Sequence, residues 1–148
     1  MKILLADDHA LFREGLCHVL RALIDEVSII EAADYPEAIR AARQHQDFDL
    51  VLLDLKMPGM DGLAGVESML RERPEVPLVV ISAVIDRHFV LGAIDHGAAG
   101  YIPKTLSGKV LIGALNLILS GGIYLPVEAL SSNTNSVGVN PVGSNGGA

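Results

Sequence analysis

Three carboxylates, a hydroxyl and an ammonium recur in this sequence at one kind of place, directly after a short apolar run. Leu4-Leu5-Ala6 leads into Asp7-Asp8, Val51-Leu52-Leu53 into Asp54, Val79-Val80-Ile81 into Ser82, and Tyr101-Ile102-Pro103 into Lys104. Carboxylates suit Mg²⁺, a hard cation that takes oxygen ligands and keeps some of its waters. One carboxylate of such a set can also attack phosphorus and form an acyl phosphate. A hydroxyl and an ammonium can hold phosphoryl oxygens while charge spreads over them. Each residue alone has an ordinary reading: a helix-capping acid pair, a turn aspartate, a loop hydroxyl, a solvated lysine. What favours chemistry is that every one has the required type and follows an apolar run.

The elements that must place these groups are legible from periodicity. Ile3–Ala6, Val27–Ile30, Leu50–Leu53, Leu78–Ile81 and Tyr101–Ile102 are short apolar runs, the pattern of strands buried on both faces. Helical patterns separate them. Phe12, Leu16, Val19, Leu20 and Leu23 form the first. Asp34 caps the second, with Pro36 and Glu37 in its first turn, and it runs to about Gln46. The loop Met57-Pro58-Gly59-Met60-Asp61-Gly62 precedes a third helix that ends about Arg73, before Pro74. Asp86 caps a fourth, which stops near Gly97. Ser107 caps a fifth, closed by Gly121-Gly122. Alternation of this kind predicts an α/β fold, a doubly wound five-stranded parallel sheet with helices on both faces. Ligands of such sheets bind outside the carboxyl ends of the strands, where all five candidate residues fall.

Composition narrows the function classes. The chain has 148 residues, with 11 basic against 18 acidic and no basic cluster, so the chain by itself is a poor nucleic-acid binder. Cys17 is the single cysteine, so no internal disulfide is possible; with no export signal and no span-length apolar run, the sequence reads as a soluble cytoplasmic protein without a membrane role. Ser131 to Ala148 holds four Ser, four Asn, four Gly and no charge. We therefore divide the chain into a folded domain over 1–126 and a flexible tail or linker over 127–148.

Leu4-Leu5-Ala6-Asp7-Asp8-His9, the run Val51 to Gly62, Ile81-Ser82-Ala83 and Gly97 to Lys104 together resemble the motifs of response-regulator receiver domains of two-component systems, over about residues 1–126. Asp7-Asp8-His9 followed by Ala10-Leu11-Phe12-Arg13-Glu14-Gly15-Leu16, and the ending Ser120-Gly121-Gly122-Ile123-Tyr124-Leu125, resemble the NarL/FixJ (LuxR-type) branch of transcription regulators. The resemblance implies a flavodoxin-like strand order 2-1-3-4-5. It implies Asp54 as phosphoacceptor, and Mg²⁺ held by Asp7, Asp8, Asp54 and the backbone carbonyl of Lys56. It implies Ser82 and Lys104 on the phosphoryl group and Tyr101 as the aromatic that changes rotamer with phosphorylation. Ala83 matches a small residue beside the site. A sensor histidine kinase is the implied donor, and DNA would be met only through an output domain. Nothing after Leu130 can form a helix-turn-helix, so the chain is either a receiver fragment or a stand-alone receiver. Thr105 departs from the pattern, standing where many relatives have proline, before which a cis bond is cheap.

Two other classes are weighed. A phosphohydrolase of the haloacid-dehalogenase type needs a second Asp two residues after the nucleophile, where this chain has Lys56. A receiver fold acting without chemistry would not need the intact acid set. His9 reads as a helix-start residue rather than a ligand, and His18, His45, His88 and His96 show no ligand spacing. The fifth helix has an apolar stripe, Leu111, Ala114, Leu115 and Ile118, but Val110, Ile112, Leu117 and Leu119 are apolar as well. The tail or Ile123-Tyr124-Leu125 folds over the extra face, or an output domain covers it, or the face serves a homodimer, the favoured reading.

Overall fold

The computed structural model describes residues 1–129. Five strands, β1 (Lys2–Ala6), β2 (Ser28–Ala32), β3 (Leu50–Asp54), β4 (Leu78–Ser82) and β5 (Gly100–Pro103), alternate with α1 (Ala10–Leu23), α2 (Tyr35–Gln44), α3 (Gly62–Glu72), α4 (Arg87–Asp95) and α5 (Gly108–Leu119). The strands form one parallel sheet in the order β2-β1-β3-β4-β5, as the resemblance implied. Strands β3, β4 and β5 are buried along their whole length, which is why they read as unbroken apolar runs.

Period-two alternation divides the core between the two faces. Leu4, Val51, Leu53, Val80 and Tyr101 pack with residues of α2, α3 and α4. Ile3, Leu5, Leu52, Val79, Ile81 and Ile102 pack with residues of α1 and α5. Each fully buried Leu or Ile contributes about 1.5–3 kcal/mol relative to exposure, so the sheet that carries the site is the best-anchored part of the molecule.

The three predicted caps are present. Asp34 accepts from Glu37 N at 2.8 Å, Asp86 from His88 N at 2.8 Å and Ser107 from Val110 N at 3.4 Å. Helix α2 ends at Gln44 rather than near Gln46. Beyond it the chain turns to bury Phe48, while Lys2 Nζ reaches His45 Nδ1 and Asp47 Oδ1, both at 2.9 Å. The β3–α3 loop turns at Gly59, whose φ of +79° and close approach to Pro36 leave no room for a side chain.

The predicted α5 stripe is the buried face: Leu111, Ala114, Leu115 and Ile118. Ile123–Leu125 does not cover the opposite face, and the tail that could do so lies outside the described residues. Tyr124 instead forms a parallel bridge to Gly100 at the free edge of β5, with Tyr101 N donating to Tyr124 O at 3.0 Å. A Cβ on Gly100 would meet Ile118 at 2.8 Å and Tyr124 O at 3.3 Å, so this close edge needs glycine. Val110 and Leu117 remain 48% and 45% exposed. Within the stretch assigned to the linker, Val127 to Ala129 are helical and Ala129 is buried; the remainder, 130–148, lies outside the described residues. No helix among the described residues is long and apolar enough to cross a membrane.

Candidate functional site

All five residues singled out in the sequence lie at the carboxyl end of the sheet. Asp7 follows β1, Asp54 ends β3, Ser82 ends β4 and Lys104 follows β5. Because β1 and β4 both flank β3, the first acid pair and the hydroxyl sit on either side of Asp54. Asp7, Asp54 and Ser82 are 0%, 3% and 1% exposed, and they are the buried polar residues among those described.

Buried carboxylates are costly unless paired. Lys104 Nζ stands 2.7 Å from Asp7 Oδ2 and 3.3 Å from Asp54 Oδ2, so one ammonium serves two buried acids. Asp7 Oδ1 accepts from His9 N at 2.7 Å and Asp54 Oδ1 from Lys56 N at 3.1 Å. The contact to Asp7 Oδ2 is an ion pair without hydrogen-bond geometry, which leaves that buried oxygen without a hydrogen-bond donor. Burial pushes the Asp54 carboxyl above the usual range. The Lys56 N–H opposes this, the charge of Asp7 adds to it, and Lys104 opposes it again. Asp8 is the solvent-side member of the pair.

The acids are not spent on capping. His9 is the N-cap of α1, and its side chain makes no capping hydrogen bond. Ligand atoms of Asp7, Asp8, His9 and Asp54 lie within 4.8 Å of one another, the one group of potential metal ligands found among the described residues. Three hard carboxylates match the donor set that Mg²⁺ takes.

Ser82 and Tyr101 meet through a third residue. Ser82 Oγ accepts from Val84 N at 3.0 Å, and the Tyr101 hydroxyl donates to Val84 O at 2.7 Å. The Tyr101 ring is fully buried, and burial pushes its phenol above the usual range. The main chain closes the same end, with Lys104 N donating to Ser82 O at 2.9 Å. Ala83 is exposed beside the site. No cis peptide bond occurs among the described residues, so Lys104–Thr105 is trans.

Sequence reasoning missed the face of α1 that meets the site. His9 starts the helix as expected, but its Nδ1 also lies 2.9 Å from Lys104 Nζ and 3.3 Å from Asp7 Oδ1. The Phe12 ring centroid is 4.6 Å from Lys104 Nζ. Arg13 donates through Nη1 to the Asp7 carbonyl and through Nε to Glu31 Oε1 at 2.9 Å. Positions 9, 12 and 13 are spaced i, i+3, i+4, one helical face directly after the acid pair, and that spacing was the available signal.

Comparison with known proteins agrees with this geometry. The family description "Response regulator receiver domain" matches residues 3–116. A glycerol metabolism activator of Pseudomonas putida is 41% identical over 135 residues, which cover 91% of this chain and 61% of that protein. The oxygen regulatory protein NreC of Staphylococcus carnosus is 32% identical over 136 residues, covering 91% and 62%. The chain thus spans about three-fifths of the length of these curated relatives. Among solved structures, a LuxR family DNA-binding response regulator from Silicibacter pomeroyi superposes with a TM-score of 0.77 at 30% identity, covering 86% of this chain and 98% of that one.

Proposed function

From the premise that this chain belongs to the response regulator receiver domain family, we propose that it is a phosphorylation switch whose acceptor is Asp54. The observation that carries the reading is a pair of buried carboxylates, Asp7 and Asp54, sharing the single ammonium of Lys104. Such an arrangement costs stability and is kept where charge must be handled. The donor is the phosphohistidine of a sensor histidine kinase or a small acyl phosphate. A carboxylate oxygen of Asp54 forms the new O–P bond as the donor's N–P or O–P bond breaks, and the leaving imidazole or carboxylate takes the bonding pair.

Asp7, Asp8 and Asp54, with the backbone carbonyl of Lys56, would hold Mg²⁺. Bound there, the ion supplies the positive charge that lets crowded carboxylates and phosphoryl oxygens approach. The protein's own part is positioning. Lys104 exchanges its Asp54 contact for a phosphoryl oxygen, and the Ser82 hydroxyl turns from Val84 N–H to another. Val84 is bonded to both Ser82 and Tyr101, so movement of Ser82 reaches Tyr101 through one residue. The surface formed by α4, β5 and α5 then shifts between two pre-existing arrangements.

The output is regulation of transcription through a DNA-binding domain, as the names of relatives suggest; a receiver acting through protein partners alone is the second reading. Val110 and Leu117 on the outer face of α5 suit a homodimer that phosphorylation strengthens. Incubation with acetyl phosphate and Mg²⁺, read by intact mass, tests the acceptor: one phosphoryl group is expected, and equal labelling of Asp54→Asn would defeat the assignment.

A further inference from the structure

We propose that Phe12 is a positioning residue for Lys104, holding its ammonium over the ring face so that it stands between Asp7 and Asp54. The inference rests on the phosphoryl-acceptor reading of this site and adds a residue to it. The Lys104 side chain is 11% exposed, with Nζ 4.6 Å from the Phe12 ring centroid, well within cation–π range. Its other close partners are Asp7, Asp54 and His9.

These contacts are not equivalent in time. A bound cation neutralises the carboxylates, which then pull less on Lys104, and phosphorylation replaces the Asp54 contact with a phosphoryl oxygen. The ring's attraction does not depend on the charge state of the acids. Phe12, beside His9 Nδ1 at 2.9 Å, is therefore a contact independent of the acids' charge that keeps the ammonium near Asp54 until a phosphoryl oxygen takes it.

Packing alone does not explain the residue. Phe12 is half-buried and borders an apolar groove of about 350 Å³ that also meets Leu11, Val19, Leu106 and Leu111. Packing against that groove and the neighbouring core calls for an apolar side chain, not specifically for an aromatic one. Only an aromatic ring offers the lysine a negative face.

The test uses wild type, Phe12→Leu, Phe12→Tyr and Lys104→Ala. A ring this close shifts the Lys104 ε-methylene protons upfield, which wild-type NMR reads directly. The expected result is an upfield pair in wild type that Phe12→Leu abolishes and Phe12→Tyr retains. Phe12→Leu should slow labelling by acetyl phosphate about tenfold while Mg²⁺ affinity stays within about twofold, and Phe12→Tyr should restore the rate. An unshifted ε-methylene in wild type overturns the proposal even if the leucine variant fails to fold. So does a Phe12→Leu rate equal to wild type when Lys104→Ala is slowed. Labelling of Lys104→Ala at the wild-type rate would remove Lys104, and Phe12 with it, from the reaction, whereas equal labelling of Asp54→Asn would defeat the acceptor reading on which the proposal rests.

Discussion

The carboxyl end of the sheet and the outer face of α5 break the ordinary rule of burial in opposite directions. At the first, Asp7 and Asp54 are carboxylates shut away from water with one ammonium between them. At the second, Val110 and Leu117 are hydrocarbon left in water. The first costs charge desolvation and the second costs apolar hydration, so neither is explained by folding stability. Buried charge marks a place where charge will be added or moved. Exposed hydrocarbon marks a surface whose cover lies elsewhere. On the proposed reading these are input and output, joined by the run Ser82–Val84–Tyr101.

The comparison can be broken most severely at the acid pair. Asp8→Ala removes a carboxylate on the solvent side of the site while leaving the buried pair in place. Mg²⁺ affinity should fall by roughly 100-fold or more, since changes one shell further out already cost about 10- to 100-fold. An NMR titration that gives the same affinity as wild type would remove Asp8 from the metal site.

At the other region, Val110→Glu with Leu117→Glu should leave the fold and labelling of Asp54 intact. Dimer formation in the phosphorylated state, read by sedimentation, should weaken by roughly tenfold or more. A wild type that stays monomeric with beryllofluoride bound would end the output assignment for this face.

The smallest expected effect concerns stability without Mg²⁺. Burial and the neighbouring Asp7 disfavour the ionised Asp54 carboxylate, and its Lys56 and Lys104 contacts only partly offset them. Asp54→Asn removes that charge and leaves Lys104 with Asp7, so the variant should melt a few degrees above wild type. A lower melting temperature would mean that the pairing, not the crowding, dominates.

Most of the scaffold was legible in the sequence because strands buried on both faces are apolar, and β3 and β4 are so up to Asp54 and Ser82 at their ends. The caps at Asp34, Asp86 and Ser107 were legible because a capping side chain acts within three residues of its own position. The five site residues were legible through their shared place after apolar runs. Contacts that depend on how one helix sits over the sheet were not. Phe12 scans as one more apolar residue of α1, and nothing local says that its ring meets a lysine 92 positions later. The path of Ile123–Leu125 failed for the same reason: its apolar pattern called for cover, and pairing with the β5 edge satisfied it as well as folding over α5 would have. Helix α2 ends at Gln44, within two residues of the expected end near Gln46, because helix boundaries are the least sharply written part of a sequence pattern.

The central claim is that Asp54 is the residue that takes the phosphoryl group. Intact-mass measurement of wild type and Asp54→Asn after acetyl phosphate and Mg²⁺, with peptide mapping of the product, tests it most directly. The account predicts one added phosphoryl group in wild type, located on Asp54, and none in the variant. A phosphoryl group mapped to any other residue, or equal uptake by Asp54→Asn, would contradict it.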